Sequence, residues 1–286
     1  MKHSPLRLPA PAKLNLFLRI TGRRPDGYHN IQTVFQLLDY GDELSFYPVE
    51  DGSLSVTPEF ATLPMTENLV FKAAQLLRQA TGCSQGIRIH LQKRLPSGGG
   101  IGGGSSDAAT ALLGLNHIWQ TGLSLDRLAE LGQQLGADVP VFVRGRSAWA
   151  EGVGERLEPL ELPRKWFVIL APDCQISTAS IFSNEGLTRD SIAIKVRAFL
   201  EEGGKNDCQP LVEKLYPQVK DAVDWLGRFG SAQLTGTGAC VFASFPDAAT
   251  AHSVFARRPA EFLGFVAQGV NESPLHQRLL SVAPGV

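Results

Sequence analysis

The sequence predicts an α+β chain in two lobes, divided near residue 155 into 1–155 and 156–286. Three observations carry this. Strand-like runs of period two interleave with amphipathic helical runs along the whole chain. A long glycine run, Leu95-Pro-Ser-Gly-Gly-Gly-Ile-Gly-Gly-Gly-Ser-Ser-Asp-Ala-Ala109, leads straight into a helix-forming segment in the first half. A short glycine turn, Leu234-Thr-Gly-Thr-Gly-Ala239, stands beside a strand-like run in the second. At 286 residues, 43% hydrophobic and 19% charged, the chain can bury a full core in one large or two modest domains.

Taken in order, Leu14, Leu16, Leu18 and Ile20 alternate with Asn15, Phe17 and Arg19, which predicts a strand. The turn residues of Thr21-Gly-Arg-Arg-Pro-Asp-Gly27 end it. A second extended run, Ile31 to Tyr40, follows, Gly41-Asp42 leads into Glu43 to Tyr47, and consecutive runs of this kind are expected to pair antiparallel. Thr66 is read as the cap of a helix with Leu69, Val70, Ala73, Leu76 and Leu77 on one face, stopped at Gly82. A strand at Ile87 to Leu91, the glycine run and a helix over roughly Ser105 to Gln120 follow. A further helix, Ser124 to about Leu135, stops at Gly136, and strands are read at Ser147 to Glu151 and Trp166 to Leu170. The second half carries helical segments at Lys195 to Glu202 and Leu211 to Phe229, then a strand at Cys240 to Phe245. A helix at about Ala248 to Ala256 and a strand at Phe262 to Val270 close the chain. No internal repeat or heptad array is present.

A formal net charge of -1 gives no electrostatic footprint for nucleic acid, although Lys93-Arg94 could bind a small anion. Cys83, Cys174, Cys208 and Cys240 form no C-x-x-C pair, and the histidines form no H-x-x-x-H pair. Neither a structural zinc site nor a disulfide framework is therefore expected, and a reducing cytoplasm fits. The start, Met1 to Arg7, leads into an alternating run rather than an apolar leader, and no stretch is apolar enough to span a bilayer. The expectation is a cytoplasmic protein, a monomer or weak homodimer, without membrane or nucleic-acid partners.

The glycine run carries the function. Glycine backbone can approach a ligand without a Cβ in the way, and the following helix start adds unpaired N–H groups and a partial positive charge. Together they make a socket for anionic oxygens, most naturally phosphates. A Walker-type loop would need Gly-Lys-Ser or Gly-Lys-Thr, which is absent. Gly98, Gly100 and Gly103 do satisfy G-x-G-x-x-G, but Gln92 to Ser97 separate them from the preceding strand, where a dinucleotide fold has a tight turn. A flexible linker would not run into an amphipathic helix. Paired with this loop, Thr235-Gly-Thr-Gly238 reads as a second phosphate cradle rather than a hairpin turn. Lys13 and Asp138 are charged candidates whose bland readings are a solvated surface lysine and a turn or cap aspartate; spacing alone does not pair them.

Five segments stand in the order found in one family: Pro11-Ala-Lys-Leu-Asn-Leu-Phe-Leu18, Pro25-Asp-Gly-Tyr-His29, the glycine loop, Gly136-Ala-Asp-Val-Pro-Val-Phe142 and Leu234-Thr-Gly-Thr-Gly-Ala-Cys240. Over about Pro11 to Leu275 the chain resembles the 4-diphosphocytidyl-2-C-methyl-D-erythritol kinases of the GHMP kinase superfamily. The resemblance implies a two-lobed GHMP kinase fold, with a nucleotide-binding N-terminal lobe and an α/β C-terminal lobe. It implies ATP-dependent phosphorylation of the 2-hydroxyl of the diphosphocytidyl alcohol, on the non-mevalonate route to isoprenoid precursors. It places Lys13 and Asp138 at the reacting hydroxyl and γ-phosphate, with Asp138 as general base or orienting group. ATP would be held by Pro96, Gly98, Gly99, Gly100, Gly102, Gly103, Gly104, Ser105 and Ser106, with Asn68 near the adenine and Ser106 linked to Mg²⁺. Tyr28 and Phe182 would enclose cytosine and His29 would read its edge. Asn15, Thr178, Gly236 and Gly238 would complete the substrate site. The chain departs from the family at Ala179, where a proline is common.

Overall fold

A computed structural model describes residues 5–58 and 64–282; Met1 to Ser4, part of the start read for a leader, lie outside them. In chain order the elements are β1 (Leu6–Arg23), β2 (His29–Val49), β3 (Leu54–Thr57), a 3-10 turn at Met65–Glu67, α1 (Leu69–Thr81), β4 (Gly86–Gln92), α2 (Gly103–Ile118), α3 (Leu125–Leu135) and α4 (Val139–Arg144). There follow β5 (Ala148–Gly152), β6 (Arg156–Pro159), β7 (Trp166–Ala171), α5 (Thr178–Ser183), α6 (Val196–Glu202), α7 (Gln209–Leu215) and α8 (Pro217–Leu226). β8 (Gln233–Leu234), β9 (Val241–Phe245), α9 (Ala248–Ala256), β10 (Leu263–Val270) and α10 (Pro274–Leu280) complete the order. The strands run β3-β4-β2-β10-β7-β9-β8, with β1 and β5 also on β2 and β6 on β5.

The two extended runs expected before and after Gly41 are one strand. Gly41 sits opposite Pro11 in the β1–β2 ladder, and a Cβ there would lie 2.6 Å from Pro11 Cα. The glycine marks a close approach of two backbones, not a turn. The alternation in β1 is overridden as well: Phe17 is as buried as Leu18, because both faces of this strand are covered.

Where the β1–β2 register shifts, between Pro11 and Lys13 and again between Asn15 and Leu18, the backbone of β1 finds partners elsewhere. Lys13 N donates to Ile101 O, Asn15 N to Thr235 Oγ1 and Leu18 N to Lys205 O. The irregular ladder thus docks the glycine loop and the later glycine turn onto one strand.

One core lies between the β1–β2–β4 surface and α1, α2, α3 and α4, with Phe46, Leu77, Leu112 and Phe142 at its centre. A second lies under β7 and β9 among α5, α7, α8 and α9, around Ile181, Val212, Leu226 and Leu234. β10 joins the two, pairing with β7 over Leu263 to Gln268 and with β2 at Gly269 and Val270. α10, unforeseen in the sequence, returns Leu275 to the first core.

Several boundaries differ for local reasons. α1 is capped by Asn68, whose side chain accepts from Val70 N, while the expected cap Thr66 lies in the 3-10 turn. The helix predicted over Leu211 to Phe229 is two helices, because Pro217 lacks the N–H that would continue α7 past Tyr216. α2 begins at Gly103, two residues earlier than expected, and α3 keeps its predicted limits, with Ser124 serving as its N-cap and Gly136 as its stop. The run after Asp138 is helical, as α4, and the short elements β6 and α5 were not foreseen. Among the described residues no helix is long and apolar enough to cross a membrane.

Candidate active site

Lys13 lies within β1, not ahead of it, and is 2% exposed. A buried ammonium needs partners. It has Asp138 Oδ2 at 3.1 Å, Asn15 Oδ1 at 2.6 Å and Gly100 O at 3.1 Å, and stands over the Phe35 ring at 5.2 Å. Asp138 holds the N-cap position of α4 but makes no capping bond, so its carboxylate is available to Lys13 and is one-third exposed. Asn15 is held in turn, Nδ2 donating to Thr33 Oγ1 at 2.9 Å. Lysine, carboxylate and amide from residues 13, 138 and 15 therefore share one point beside the glycine loop.

The loop is a folded arc rather than a linker. Gly98, Gly100 and Gly102 adopt positive φ, Gly98 O accepts from Ala239 N and Gly99 O from Cys240 N. The later glycine turn is therefore laid against the first. The fingerprint alternative lacks its context: ten residues intervene between the end of β4 and the start of α2, so no tight strand-to-helix turn follows that strand.

A cavity of about 770 Å³ opens on this point. Its wall includes Lys13, Asn15, Gly100, Ser105 and Asp138, together with Gly236 from the later turn. The same wall carries Tyr28, His29, Thr178 and Phe182. Tyr28 is 66% exposed on the β1–β2 turn, and the His29 and Phe182 rings lie 5.1 Å apart at 31°. His29 Nε2 accepts from Arg189 Nε at 3.1 Å, and burial, Arg189 and Arg23 together hold its pKa below the ordinary imidazole value. Thr178 Oγ1 shares a 2.9 Å hydrogen bond with Thr237 Oγ1, tying α5 to the later glycine turn.

The other predicted residues stand behind or beside that wall. Gly102, Gly103 and Gly104 form the start of α2, with Gly104 exposed, while Ser97 and Gly98 are the exposed outer arc beside half-buried Pro96. Gly238 packs toward Leu234 and Ile176. Asn68 is buried and engaged as a helix cap. Ser106 is fully buried with an unpartnered Oγ, and Ser105 is the hydroxyl on the cavity wall.

Three groups under the loop escaped the sequence reading. Lys93, expected to be free for an anion, is paired with Asp42 at 2.5 Å and Asp107 at 2.9 Å. Asp42 Oδ1 also accepts from Arg94 N and Leu95 N, clamping the stem of the loop. Burial, opposed by Lys93, pushes Asp107 up to about 7. Burial pulls Lys93 the other way, but the two carboxylates together hold its pKa above the ordinary value. Nothing in the spacing of positions 42, 93 and 107 signals this cluster. Asn206 is a further silent position; its Nδ2 donates to Leu234 O and Gly236 O, each at 2.8 Å.

The model of the GHMP kinases N terminal domain matches residues 68–146, and that of the GHMP kinases C terminal matches residues 192–262. A 4-diphosphocytidyl-2-C-methyl-D-erythritol kinase of Pseudomonas paraeruginosa is 58% identical over 274 residues, spanning 96% of this chain and 97% of the relative. A crystal structure of 4-(cytidine 5'-diphospho)-2C-methyl-D-erythritol kinase superposes with a TM-score of 0.83 at 32% identity, over 93% of this chain and all of that one. A mevalonate kinase structure, at 16% identity and a TM-score of 0.70 over 93% of this chain and all of that one, shares the fold. On this likeness, full-length and carried by both lobes, the chain belongs to the 4-diphosphocytidyl-2-C-methyl-D-erythritol kinase family of GHMP kinases.

Proposed function

We propose that the chain transfers the γ-phosphoryl group of ATP to the 2-hydroxyl of 4-diphosphocytidyl-2-C-methyl-D-erythritol. The observation that carries this reading is the Lys13–Asp138 pair, set in the same cavity wall as the glycine loop and the Tyr28–His29–Phe182 group. Phosphoryl transfer leaves little covalent work to the protein, so positioned donors and cations do most of it. Lys13 supplies the cation and the N–H groups of the loop and of the α2 start supply the donors. Asp138 orients the substrate hydroxyl or takes its proton, and Asn15 keeps the Lys13 ammonium in place. Tyr28 and Phe182 offer faces for a base; every base has such faces, so selection for cytosine falls to hydrogen bonds from His29.

Mg²⁺ belongs to the same proposal. Among the described residues no three His, Cys, Asp or Glu side chains stand together as a ligand set. Phosphate oxygens with one loop hydroxyl, Ser105 on the wall or the unpartnered Ser106, form the donor set that suits this ion. When bound, it would neutralise charge on the transferring phosphates. A division at 155/156, supported by family models on either side of it, a cytoplasmic location and a monomer or weak homodimer complete the proposal.

The test is an ADP-release assay with Mg²⁺ and the diphosphocytidyl alcohol, run beside mevalonate, homoserine and free methylerythritol phosphate. Transfer to the diphosphocytidyl alcohol alone is expected; preferred transfer to another alcohol would overturn the substrate assignment. Asp138→Asn should lower kcat by roughly 10²–10⁴-fold if Asp138 accepts the proton, with the KM for ATP nearly intact. An unchanged kcat would remove Asp138 from the chemistry.

A further inference from the structure

The loop after α5 contains an arginine that no sequence motif marked. Arg189 donates Nε to His29 Nε2 at 3.1 Å. Its other nitrogens reach three carbonyls: Phe182 O of α5 at 2.9 Å, and Asn184 O at 2.6 Å and Leu187 O at 3.1 Å in the loop that follows. One rigid fork therefore ties the imidazole at the start of β2 to the backbone of α5 that carries the Phe182 ring. A guanidinium has donors only and keeps its charge at any working pH. It can hydrogen-bond a ring nitrogen only through that atom's lone pair, so Nε2 of His29 bears no proton. The neutral ring then carries its proton on Nδ1. Nδ1–H is the one hydrogen-bonding group the imidazole has left to offer a ligand.

We propose that Arg189 is the positioning residue of the base-binding wall, fixing His29 in the Nδ1–H tautomer and setting its ring beside Phe182, so that the wall presents a donor to an acceptor on the pyrimidine edge. Cytosine has a bare N3 acceptor where uracil has an N3–H donor. A locked donor accepts the first and leaves two donors facing each other with the second, so the tautomer selects a cytidylyl over a uridylyl ligand. This proposal rests on the reading of His29 as the reader of the base. Of the charged neighbours, Arg189 and Arg23 oppose protonation of the ring, while Asp26 on the same turn would favour it but is engaged by Arg24 and by Tyr28 N.

The test compares Arg189→Met, Arg189→Lys and His29→Ala with the parent enzyme. KM for the diphosphocytidyl alcohol, its uridylyl analogue and ATP is measured at pH 6 and pH 8, and ¹⁵N shifts of His29 report its tautomer. The parent should show Nδ1–H and a KM for the cytidylyl substrate independent of pH. Arg189→Met should give a tautomer mixture and raise that KM roughly 3–10-fold at pH 8, the worth of one hydrogen bond, with ATP KM unchanged. The rise should shrink at pH 6 to the extent that the imidazole, relieved of the Arg189 charge, takes up a proton there and both ring nitrogens become donors. A collapsed α5 would instead raise KM equally at both pH values, and that outcome would overturn the tautomer role. Arg189→Lys, which keeps a charge and a donor, should fall between the two in KM and tautomer. If Arg189→Met does not fold, the same shifts read in Arg189→Lys decide the matter. His29→Ala with an unchanged KM would fail the base-reading role itself. A raised KM in His29→Ala with parental KM and tautomer in the Arg189 variants would overturn Arg189 alone.

Discussion

Lys13 shows how much a single residue's meaning depends on its surroundings. In sequence it is one lysine beside an alternating run, a context in which lysine is usually solvated. In the structure it is buried because a register shift in β1 leaves room for the stem between Phe35 and the glycine loop. Lys13→Met keeps much of the stem volume and removes the charge. It should lower kcat by roughly 10²–10³-fold, the range for deleting one preorganised group at a developing charge. Thermal melts should show a folded variant; a kcat within twofold of the parent would mean the ammonium only balances Asp138. The partnership with Asp138 was not legible beyond the family resemblance, because 125 residues of chain separate Lys13 from Asp138.

At the scale of elements, the glycine loop and the helix after it were legible, but the reason for particular glycines was not. Gly102 caps α2 at φ +75, and a Cβ there would lie 2.7 Å from Phe142 Cζ and 3.2 Å from Lys13 Cε. Gly102→Ala should destabilise the fold by about 1–3 kcal/mol, combining backbone strain with overpacking. By displacing Lys13 it should lower kcat more than ATP binding; parental kcat and Tm would contradict this close approach. Beneath the loop, Asp107 is raised from 3.8 to about 7, with burial as the largest cause. Between those values the folded chain holds a proton that the unfolded chain has released, so this group's contribution to stability falls as pH rises toward 7. Asp107→Asn has no such loss, and Asp42 still serves Lys93. Its Tm relative to the parent should therefore increase from pH 5 to pH 8 in parallel melts, and a flat difference would reject the raised pKa.

At the scale of the whole molecule, the two largest cores are held in one frame by β10 and by the contact between the two glycine turns. Asn206 is the buried bracket of that contact. It donates to Leu234 O and Gly236 O and accepts from Cys208 N. Asn206→Ala leaves all three groups without this partner and should cost about 2–4 kcal/mol in denaturant unfolding. It should also raise the substrate KM by loosening the later turn, and a loss under 0.5 kcal/mol would show that water replaces the amide.

By itself the sequence determined the α+β class, most helices and strands, the glycine loop leading into a helix and, through ordered motifs, the family. These follow from near-neighbour physics: side-chain period, caps, and turn residues act within a few positions of themselves. The limits of α3 at Ser124 and Gly136 were readable for that reason, whereas the continuity of β2 through Gly41 was not, because the partner of Gly41 lies thirty residues away in Pro11. Only the tertiary structure decided that Lys13 is buried against Asp138, that Lys93 is spent between two aspartates, and that Arg189 holds His29. Each of those is a pairing of charged or polar groups far apart in the chain. Their energy depends on burial and distance, which exist only once the backbone has closed around them.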